Sequence, residues 1–133
     1  MIGALAAHHG DAAATSGETL LVDAFGAEPW AYFLLAQDQE GAPVGYAALL
    51  VVYQAQFARR SVDLHHLFVA PAARGRGVGR ALVEAAAEWA RVRSAVRLTV
   101  GTHPDNARAR SYYERLGFSP LPAGGARFAM RLD

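Results

Sequence analysis

The chain has 133 residues, of which 53% are hydrophobic, and its 13 basic and 12 acidic residues give a formal net charge of +1. This length suits one domain with a packed core, so we predict a single domain over residues 1–133. A charge this close to zero, without a known nucleic-acid-binding module, argues against a nucleic-acid partner.

No part of the sequence has the pattern of a membrane or secreted protein. No apolar run reaches the roughly 18 to 20 residues that span a bilayer. Residues 1–5 lack the basic start and the long apolar stretch of a secretory signal. We therefore expect a cytoplasmic protein with no membrane partner.

Two residue types are absent, which narrows the chemistry. The sequence contains no cysteine, and this excludes disulfides, thiolate zinc sites and a cysteine nucleophile. All 13 basic residues are arginine, so no lysine can form a Schiff base or complete a Walker-type phosphate loop. Covalent catalysis through a thiol or a lysine amine is thereby excluded.

Two helices are predicted ahead of the first strand. Alanine-rich residues 2–9 are typical of a helix. Thr15 followed three residues later by Glu18 resembles a capping box, which predicts a second helix beginning there. Gly26 is expected to end that helix.

Three strands follow the helices. Residues 32–36 and 44–53 have strand composition, and the polar, Gly- and Pro-containing residues 38–43 between them predict a hairpin. A third strand is predicted over residues 61–69. It should end before Pro71, because proline cannot donate to a β-ladder.

The second half of the chain predicts helix, strand, helix and strand. A strand at 96–101 precedes a helix that Asn106 can cap and that runs to Leu116, with Gly117 in a left-handed C-terminal cap. Residues 128–132 are predicted to form a closing strand. The whole order indicates a mixed α/β sheet flanked by helices. The first helix of this half has an apolar stripe at helical spacing, formed by Val78, Leu82, Ala85, Ala86, Trp89 and Val92.

A glycine-rich turn between the third strand and this helix is suited to binding an anion. Strand, turn and helix in this order direct unpaired backbone N–H groups and the positive helix end at one place. A dinucleotide-binding fingerprint would need glycine where Arg80 stands, so it is excluded. The glycines and arginines of the turn are Arg74, Gly75, Arg76, Gly77, Gly79 and Arg80.

Two segments of the chain resemble motifs of the GNAT acetyltransferases. Residues 67–82, LFVAPAARGRGVGRAL, resemble the central motif with its Q/R-x-x-G-x-G/A core. Residues 106–118, NARARSYYERLGF, resemble the second motif, N-x-x-A-x-x-x-Y-E-x-x-G-F. The resemblance covers residues 32–118 and implies the GNAT fold, a mixed central sheet flanked by helices with a splayed cofactor cleft.

The resemblance implies acetyl-coenzyme A as the cosubstrate, and no metal. The pantetheine arm would lie against the strand end at Leu67, Phe68 and Val69. Asn106 is a candidate cofactor contact, with helix capping as the alternative. The pyrophosphate would lie on the backbone amides of Arg74, Gly75, Arg76, Gly77, Val78, Gly79 and Arg80.

Candidate acid and base residues come from the same two motifs. Tyr113 occupies the family position of the acid that protonates the coenzyme A sulfur. His65 stands two residues before the leucine of the central motif, where many members have a carboxylate, and is our preferred base. Asp63, His66 or a water molecule are the alternatives.

Strand alternation predicts that Asp63 and His65 lie on one face of the sheet and His66 on the other. Adjacent histidines on opposite faces cannot share one metal ion, and no histidine spacing in the chain resembles a zinc signature. We therefore predict no metal site.

The acceptor substrate is predicted to be a small-molecule primary amine. Residues 21–30, residues 44–47 and Tyr53 are similar to the corresponding parts of diamine and polyamine acetyltransferases. Amino acids, amino sugars, other small amines and peptide N-termini remain open. Candidate anionic subsites for a cationic amine are Asp23, Glu28 and Asp63.

The N-terminal region departs from the family pattern. Members usually begin with a strand that contains an Arg-Pro pair, and nothing before Thr15 matches it. Either this strand is missing or the start of the given sequence is late. A missing strand would leave a sheet edge that a second copy could cover, and we therefore predict a homodimer. The alternative functions are a non-catalytic coenzyme A-binding regulatory module and a protein or peptide N-acetyltransferase.

Overall fold

The helices and strands of the computed structural model follow most of the predicted order. The structure describes residues 16–122 and 124–133, so the predicted helix at 2–9 and Thr15 lie outside the described residues. The chain divides into two compact units, of which the first ends at Gly101 and the second comprises Thr102–Asp133. The elements are α1 (Gly17–Phe25), β1 (Tyr32–Gln37), β2 (Pro43–Gln54), β3 (Arg59–Val69), α2 (Val78–Val92), β4 (Arg97–Val100) and α3 (Ala107–Arg115).

Helix α1 begins at a serine cap. The Ser16 hydroxyl accepts a hydrogen bond from the Thr19 N–H at 3.1 Å, and its backbone is extended, as an N-cap requires. Glu18 is therefore the second helical residue, and the predicted capping box of Thr15 and Glu18 is wrong by one position. The helix ends at Gly26, whose N–H donates to the Val22 carbonyl at 3.0 Å, as predicted.

The first unit contains a four-stranded mixed sheet in the order β1-β2-β3-β4. β1 and β2 pair antiparallel, as do β2 and β3, whereas β3 and β4 pair parallel. A parallel pair needs a crossover connection, and α2 provides it. The predicted mixed α/β sheet and the hairpin between β1 and β2 are confirmed.

Helix α2 packs against the sheet face that carries Ala47, Leu49, Val62 and Leu64, all of which are buried. Gly45 lies on the same face, where a Cβ atom would be 3.2 Å from Leu82 Cδ1 of the helix. Only glycine allows an approach this close without displacement. The opposite face has a second buried cluster, consisting of Tyr46, Ala48 and Phe68 with Phe33 and Ala70 packed against it.

The predicted apolar stripe of α2 is partly wrong. Ala85 is exposed, and Val92 is 72% exposed, although both were assigned to the stripe. In an alanine-rich helix the apolar residues lie on several sides, so periodicity alone does not establish which side is buried. The buried residues of the helix are Gly79, Leu82, Val83, Ala86 and Ala90.

The second unit contains α3, which Asn106 caps by accepting a hydrogen bond from the Ala109 N–H at 3.0 Å. The predicted closing strand at 128–132 is wrong, because residues 124–133 form neither helix nor strand. Phe128, Met130 and Leu132 alternate as in a strand but are almost fully exposed. Alternation describes one strand, whereas a β-ladder also needs a partner. None of the described helices is long and apolar enough to cross a membrane.

Candidate active site

β3 extends beyond its parallel partner β4. β4 pairs with β3 only from Ser61 to Leu64, and β3 continues to Val69 with β2 on its other edge. Within the described part of the chain, no strand pairs with the β4 side of β3 beyond Leu64. An extended ligand can bind the backbone groups of such an edge. The predicted splayed cleft stays a prediction.

A β-bulge lies at the start of this open edge. Ala48 of β2 faces His66 of β3, and the next residue, Leu49, faces Leu64. His65 is therefore one extra residue on β3, opposite no residue of β2. A one-residue bulge reverses the side on which the following side chains lie relative to regular alternation.

The bulge adds His66 to the side of β3 that Asp63 and His65 share. The His65 Nδ1 atom lies 3.7 Å from Asp63 Oδ2, and the rings of His65 and His66 are stacked with their centroids 4.7 Å apart. The prediction that His66 lies on the opposite face is wrong, because alternation does not continue through a bulge. The side chains of His65 and Asp63 are 53% and 30% exposed, so solvent or a substrate can reach both.

Thr99 belongs to this cluster, although the sequence did not indicate it. Thr99 on β4 is in register with Asp63, and its hydroxyl donates to Asp63 Oδ1 at 2.9 Å. Only the register between β3 and β4 places Thr99 beside a candidate base. Among the described residues, no group of three or more His, Cys, Asp or Glu side chains could hold a metal ion.

His66 contacts a tyrosine that the sequence analysis did not consider as a site residue. The Tyr46 hydroxyl lies 3.4 Å from His66 Nδ1, and the two rings meet edge to face. Burial raises the pKa of the Tyr46 phenol above its ordinary value of 10.0. Tyr46 therefore remains protonated near neutral pH beside His66.

The glycine-rich turn has the backbone conformation that its glycines predict. Gly75 and Gly77 have φ angles of +76° and +82°, in the left-handed region that side chains rarely adopt. No heavy atom lies within 4 Å of a Cβ built on either residue. The surface above both glycines is therefore open to a ligand.

The first turn of α2 presents unpaired amides next to these glycines. The N–H of Ala81 bonds to the carbonyl of the N-cap residue Gly77 at 3.0 Å. The N–H groups of the first three helical residues, Val78, Gly79 and Arg80, have no carbonyl one turn earlier within the helix. The helix dipole adds positive potential, and no acidic residue lies in the first turn. This arrangement suits a phosphate group.

Arg74 has a structural contact within the loop. Its Nε atom donates to the carbonyl of Val69 at 2.9 Å and so ties the loop to the end of β3. Arg76 and Arg80 are exposed. The backbone amides and these two arginines are therefore the groups most available to an anion.

The remaining predicted contacts differ in accessibility. The Phe68 side chain is buried in the core, so only its backbone can contact a ligand, whereas Leu67 and Val69 are half-buried. Glu28 is exposed. The backbone carbonyl of Asp23 accepts hydrogen bonds from the two residues that follow Pro29, which leaves its carboxylate for other contacts.

The second unit holds Tyr113 near the end of α3 through a Schellman motif. Gly117 has a φ of +100°, its N–H donates to Glu114, and the N–H of Phe118 donates to the Tyr113 carbonyl at 3.1 Å. The ring of Phe118 packs edge to face on Tyr113 with centroids 5.7 Å apart. The Gly-Phe pair of the second motif therefore orients Tyr113.

The electrostatic environment of Tyr113 keeps its phenol protonated. Burial raises the pKa of Tyr113 above its ordinary value of 10.0, and the neighbouring Tyr112 raises it further. A phenol that is protonated at neutral pH can donate to a departing thiolate. Asn106 uses its side-chain oxygen in the helix cap, which is the alternative to a cofactor contact.

Comparisons with known proteins show which family the chain resembles. The model of the Acetyltransferase (GNAT) family matches residues 6–118. An uncharacterized N-acetyltransferase of Methanocaldococcus jannaschii is 42% identical over 81 residues, which are 59% of this chain and 35% of that protein. Aminoglycoside N(6')-acetyltransferase type 1 of Klebsiella aerogenes is 33% identical over 90 residues, which are 66% of this chain and 59% of that protein.

The fold is also similar to that of a solved N-acetyltransferase structure. The aminoglycoside N-acetyltransferase AAC(6')-Iy in complex with CoA superposes with a TM-score of 0.66 at 21% identity, covering 79% of this chain and 81% of that chain. This likeness concerns the fold alone. The family match spans both motifs and most of the chain, and the chain belongs to the GNAT acetyltransferase family.

Proposed function

We propose that the protein transfers the acetyl group of acetyl-coenzyme A to a primary amine of a small molecule. The observation that carries this proposal is the open edge of β3, which leads directly into the glycine-rich turn and the free amides of α2. An extended chain with a pyrophosphate at one end fits an open strand edge followed by an anion site. Coenzyme A has this form, and the structural relative AAC(6')-Iy contains it.

The residues that would hold the cosubstrate follow from this fit. The backbone of β3 from Leu67 to Val69 would pair with the pantetheine arm. The amides between Arg74 and Arg80 would bind the pyrophosphate, with Arg76 and Arg80 adding charge. Gly75 and Gly77 leave the space above the turn open. Bound acetyl-coenzyme A supplies the activated acetyl group.

Two side chains would move the protons of the reaction. His65 would accept the proton that the amine loses when its nitrogen bonds to the acetyl carbon, and it is exposed enough to meet an acceptor. Tyr113 would donate a proton to the sulfur as the carbon–sulfur bond breaks, which its raised pKa allows because the phenol is protonated. Asp63, His66 and a water molecule are the alternative bases.

The acceptor is proposed to be a small cationic amine. The Klebsiella relative is named for acetylation of an aminoglycoside nitrogen, which is a primary amine of a small molecule. Asp23 and Glu28 would provide negative charge for such a substrate, and a diamine or polyamine is the form that two separated carboxylates would select. Amino acids and peptide N-termini belong in the same test.

We also propose that the protein is a cytoplasmic homodimer. β1 is the last strand on its side of the sheet, so within the described residues its outer edge has no partner strand. A second copy could cover that edge. Light scattering across a concentration series measures the oligomeric state, and a constant monomer mass would contradict the dimer.

Thiol release from acetyl-coenzyme A tests the proposed activity, measured with a panel of polyamines, aminoglycosides, amino acids and short peptides. The protein has no cysteine, so it contributes no thiol to the background signal of this assay. We expect release that depends on one class of small amine.

The matched variant Gly77→Asp should bind coenzyme A more weakly, since a carboxylate would occupy the anion site. Coenzyme A binding without release by any amine would favour a non-catalytic binding module.

A further inference from the structure

The carboxylate of Asp63 lies between two partners on neighbouring strands. The Thr99 hydroxyl donates to Oδ1 at 2.9 Å, and His65 Nδ1 lies 3.7 Å from Oδ2. Each carboxylate oxygen therefore has its own partner. A carboxylate held in this way has little freedom to rotate away from the imidazole.

Both contacts lie near the end of the short parallel ladder between β3 and β4. Asp63 and Thr99 form the second-last pair of the short parallel ladder, one pair before β4 ends at Val100. His65 lies two residues after Asp63, so strand alternation places both on the same side, and the bulge brings His66 to that side as well. Asp63, His65 and Thr99 therefore meet where the open edge of β3 begins.

We propose that Thr99 and Asp63 are positioning residues that fix the orientation of His65 as the base of the acetyl transfer. This inference rests on the proposed function. Nδ1 of His65 lies 3.7 Å from the Asp63 carboxylate, an ion-pair distance longer than a hydrogen bond. A proton on Nδ1 would be attracted to this carboxylate, which leaves the lone pair of Nε2 to accept a proton. Thr99 would act only through Asp63, because its hydroxyl donates to that carboxylate and to the Val62 carbonyl at 3.5 Å.

The proton balance is complete with the residues named. The amine nitrogen bonds to the acetyl carbon and gives one proton to Nε2 of His65, while the carbon–sulfur bond breaks and the sulfur receives a proton from Tyr113. His65 then returns its proton to solvent, and Tyr113 takes one back. The positive imidazolium formed in this step would lie beside the Asp63 carboxylate, which stabilises it.

The other histidine has different surroundings. His66 stacks on His65 and faces the hydroxyl of buried Tyr46. It is less exposed than His65. The carboxylate contact and the greater exposure both select His65 as the residue that meets the amine, with the His66 ring limiting its rotation from one side.

The tautomer of His65 tests the geometry without any turnover. A long-range ¹H–¹⁵N spectrum of protein labelled at histidine distinguishes the two neutral tautomers, and His65→Gln assigns the signal. We expect the Nδ1–H form in the wild type and a shift toward the Nε2–H form in Asp63→Ala. An Nε2–H form in the wild type would overturn the proposal, even in an active enzyme.

A mutant cycle tests the role in catalysis. Thr99→Val is nearly isosteric and should lower kcat/KM about tenfold, the loss of a hydrogen bond to a charged group. The loss should appear in kcat with the acetyl-coenzyme A dissociation constant unchanged, and Thr99→Ser should restore most of the activity. In a His65→Gln background, Thr99→Val should cause no further loss, because its effect passes through His65.

The outcomes separate this inference from the proposed function. The same loss from Thr99→Val in both backgrounds would show a structural effect and overturn the positioning role. No turnover by the wild type with any amine would overturn the proposed function and the catalytic role together. An active wild type whose Thr99→Val variant is equally active would overturn the positioning role alone.

Discussion

Gly45 is the position where a single methyl group should disturb both the fold and the cofactor site. A Cβ atom on this residue would lie 2.8 Å from the Phe68 carbonyl oxygen, 3.2 Å from Leu82 Cδ1 and 3.4 Å from Val78 Cγ1. The Leu82 and Val78 side chains can shift, but the carbonyl belongs to the adjacent strand. Gly45→Ala must therefore separate β2 from β3 locally or displace the start of α2.

The expected size of the effect follows from two opposing terms. Forcing a methyl group into a close-packed site costs about 1–3 kcal/mol. Replacing glycine within a strand recovers roughly 0.5–1 kcal/mol of backbone entropy. We expect a net loss of about 1–2 kcal/mol, which lowers the Tm of a domain of this size by roughly 4–8 °C.

Thermal and urea unfolding measure this loss, and calorimetric titration with coenzyme A measures the consequence for the site. Val78 and Leu82 belong to the first turns of α2, so weaker cofactor binding should accompany the lower stability. Gly17→Ala is the matched control, because no atom lies within 4 Å of its Cβ position at the start of α1. A Gly45→Ala protein as stable as Gly17→Ala would refute the packing argument.

Three further predictions concern other backbone and titration features. Gly117→Ala places a side chain at a φ of +100° and should destabilise α3 by about 1 kcal/mol. Because the Schellman motif that holds Tyr113 is then weakened, kcat should fall more than the affinity for acetyl-coenzyme A. An unchanged kcat would contradict this. Ala58→Gly removes the side chain from a residue with a φ of +48° and should raise the free energy of unfolding by up to about 1 kcal/mol. Urea unfolding measures this, and a midpoint at lower urea concentration than in the wild type would argue against strain at Ala58. Burial raises the pKa of Tyr113 and Tyr46 in the folded protein above the ordinary value of 10.0. These phenols therefore contribute stability that is fully present below pH 10.0 and is lost as the pH rises through their folded-state pKa. Unfolding of Tyr113→Phe should thus depend less on pH above 10.0 than that of the wild type, and parallel pH curves would contradict the assignment.

Local sequence signals predicted much of the fold because the causes are themselves local. Gly75 and Gly77 adopt the positive φ angles that only glycine favours, and Asn106 caps the helix that follows it. The Tyr-Glu-x-x-Gly-Phe pattern predicted both the end of α3 and the left-handed cap at Gly117. Each of these features is decided by interactions within about one helical turn.

Features that depend on pairing between distant strands were not accessible to the same reasoning. The bulge at His65 exists only relative to β2, and the contact of Thr99 with Asp63 requires the register of β4. Hydrophobic residues do alternate over residues 128–132, but the strand predicted there does not form. Alternation within one segment does not identify the partner strand that a β-ladder needs. Residue types and alternation therefore identified Asp63 and His65 as neighbouring candidates, while strand pairing added His66 and Thr99 to them.

The bulge also changes which residue numbers of β3 face helix α2. Before His65 the core-facing residues are even-numbered, Val62 and Leu64, and after it they are odd-numbered, beginning with Leu67, which is in register with Ala47. One extra residue thus lets a single strand present side chains to the helix on both sides of the bulge, while Asp63, His65 and His66 lie together on its other side. A switch of parity in the hydrophobic pattern of a strand is a signal that can be sought in a sequence alone.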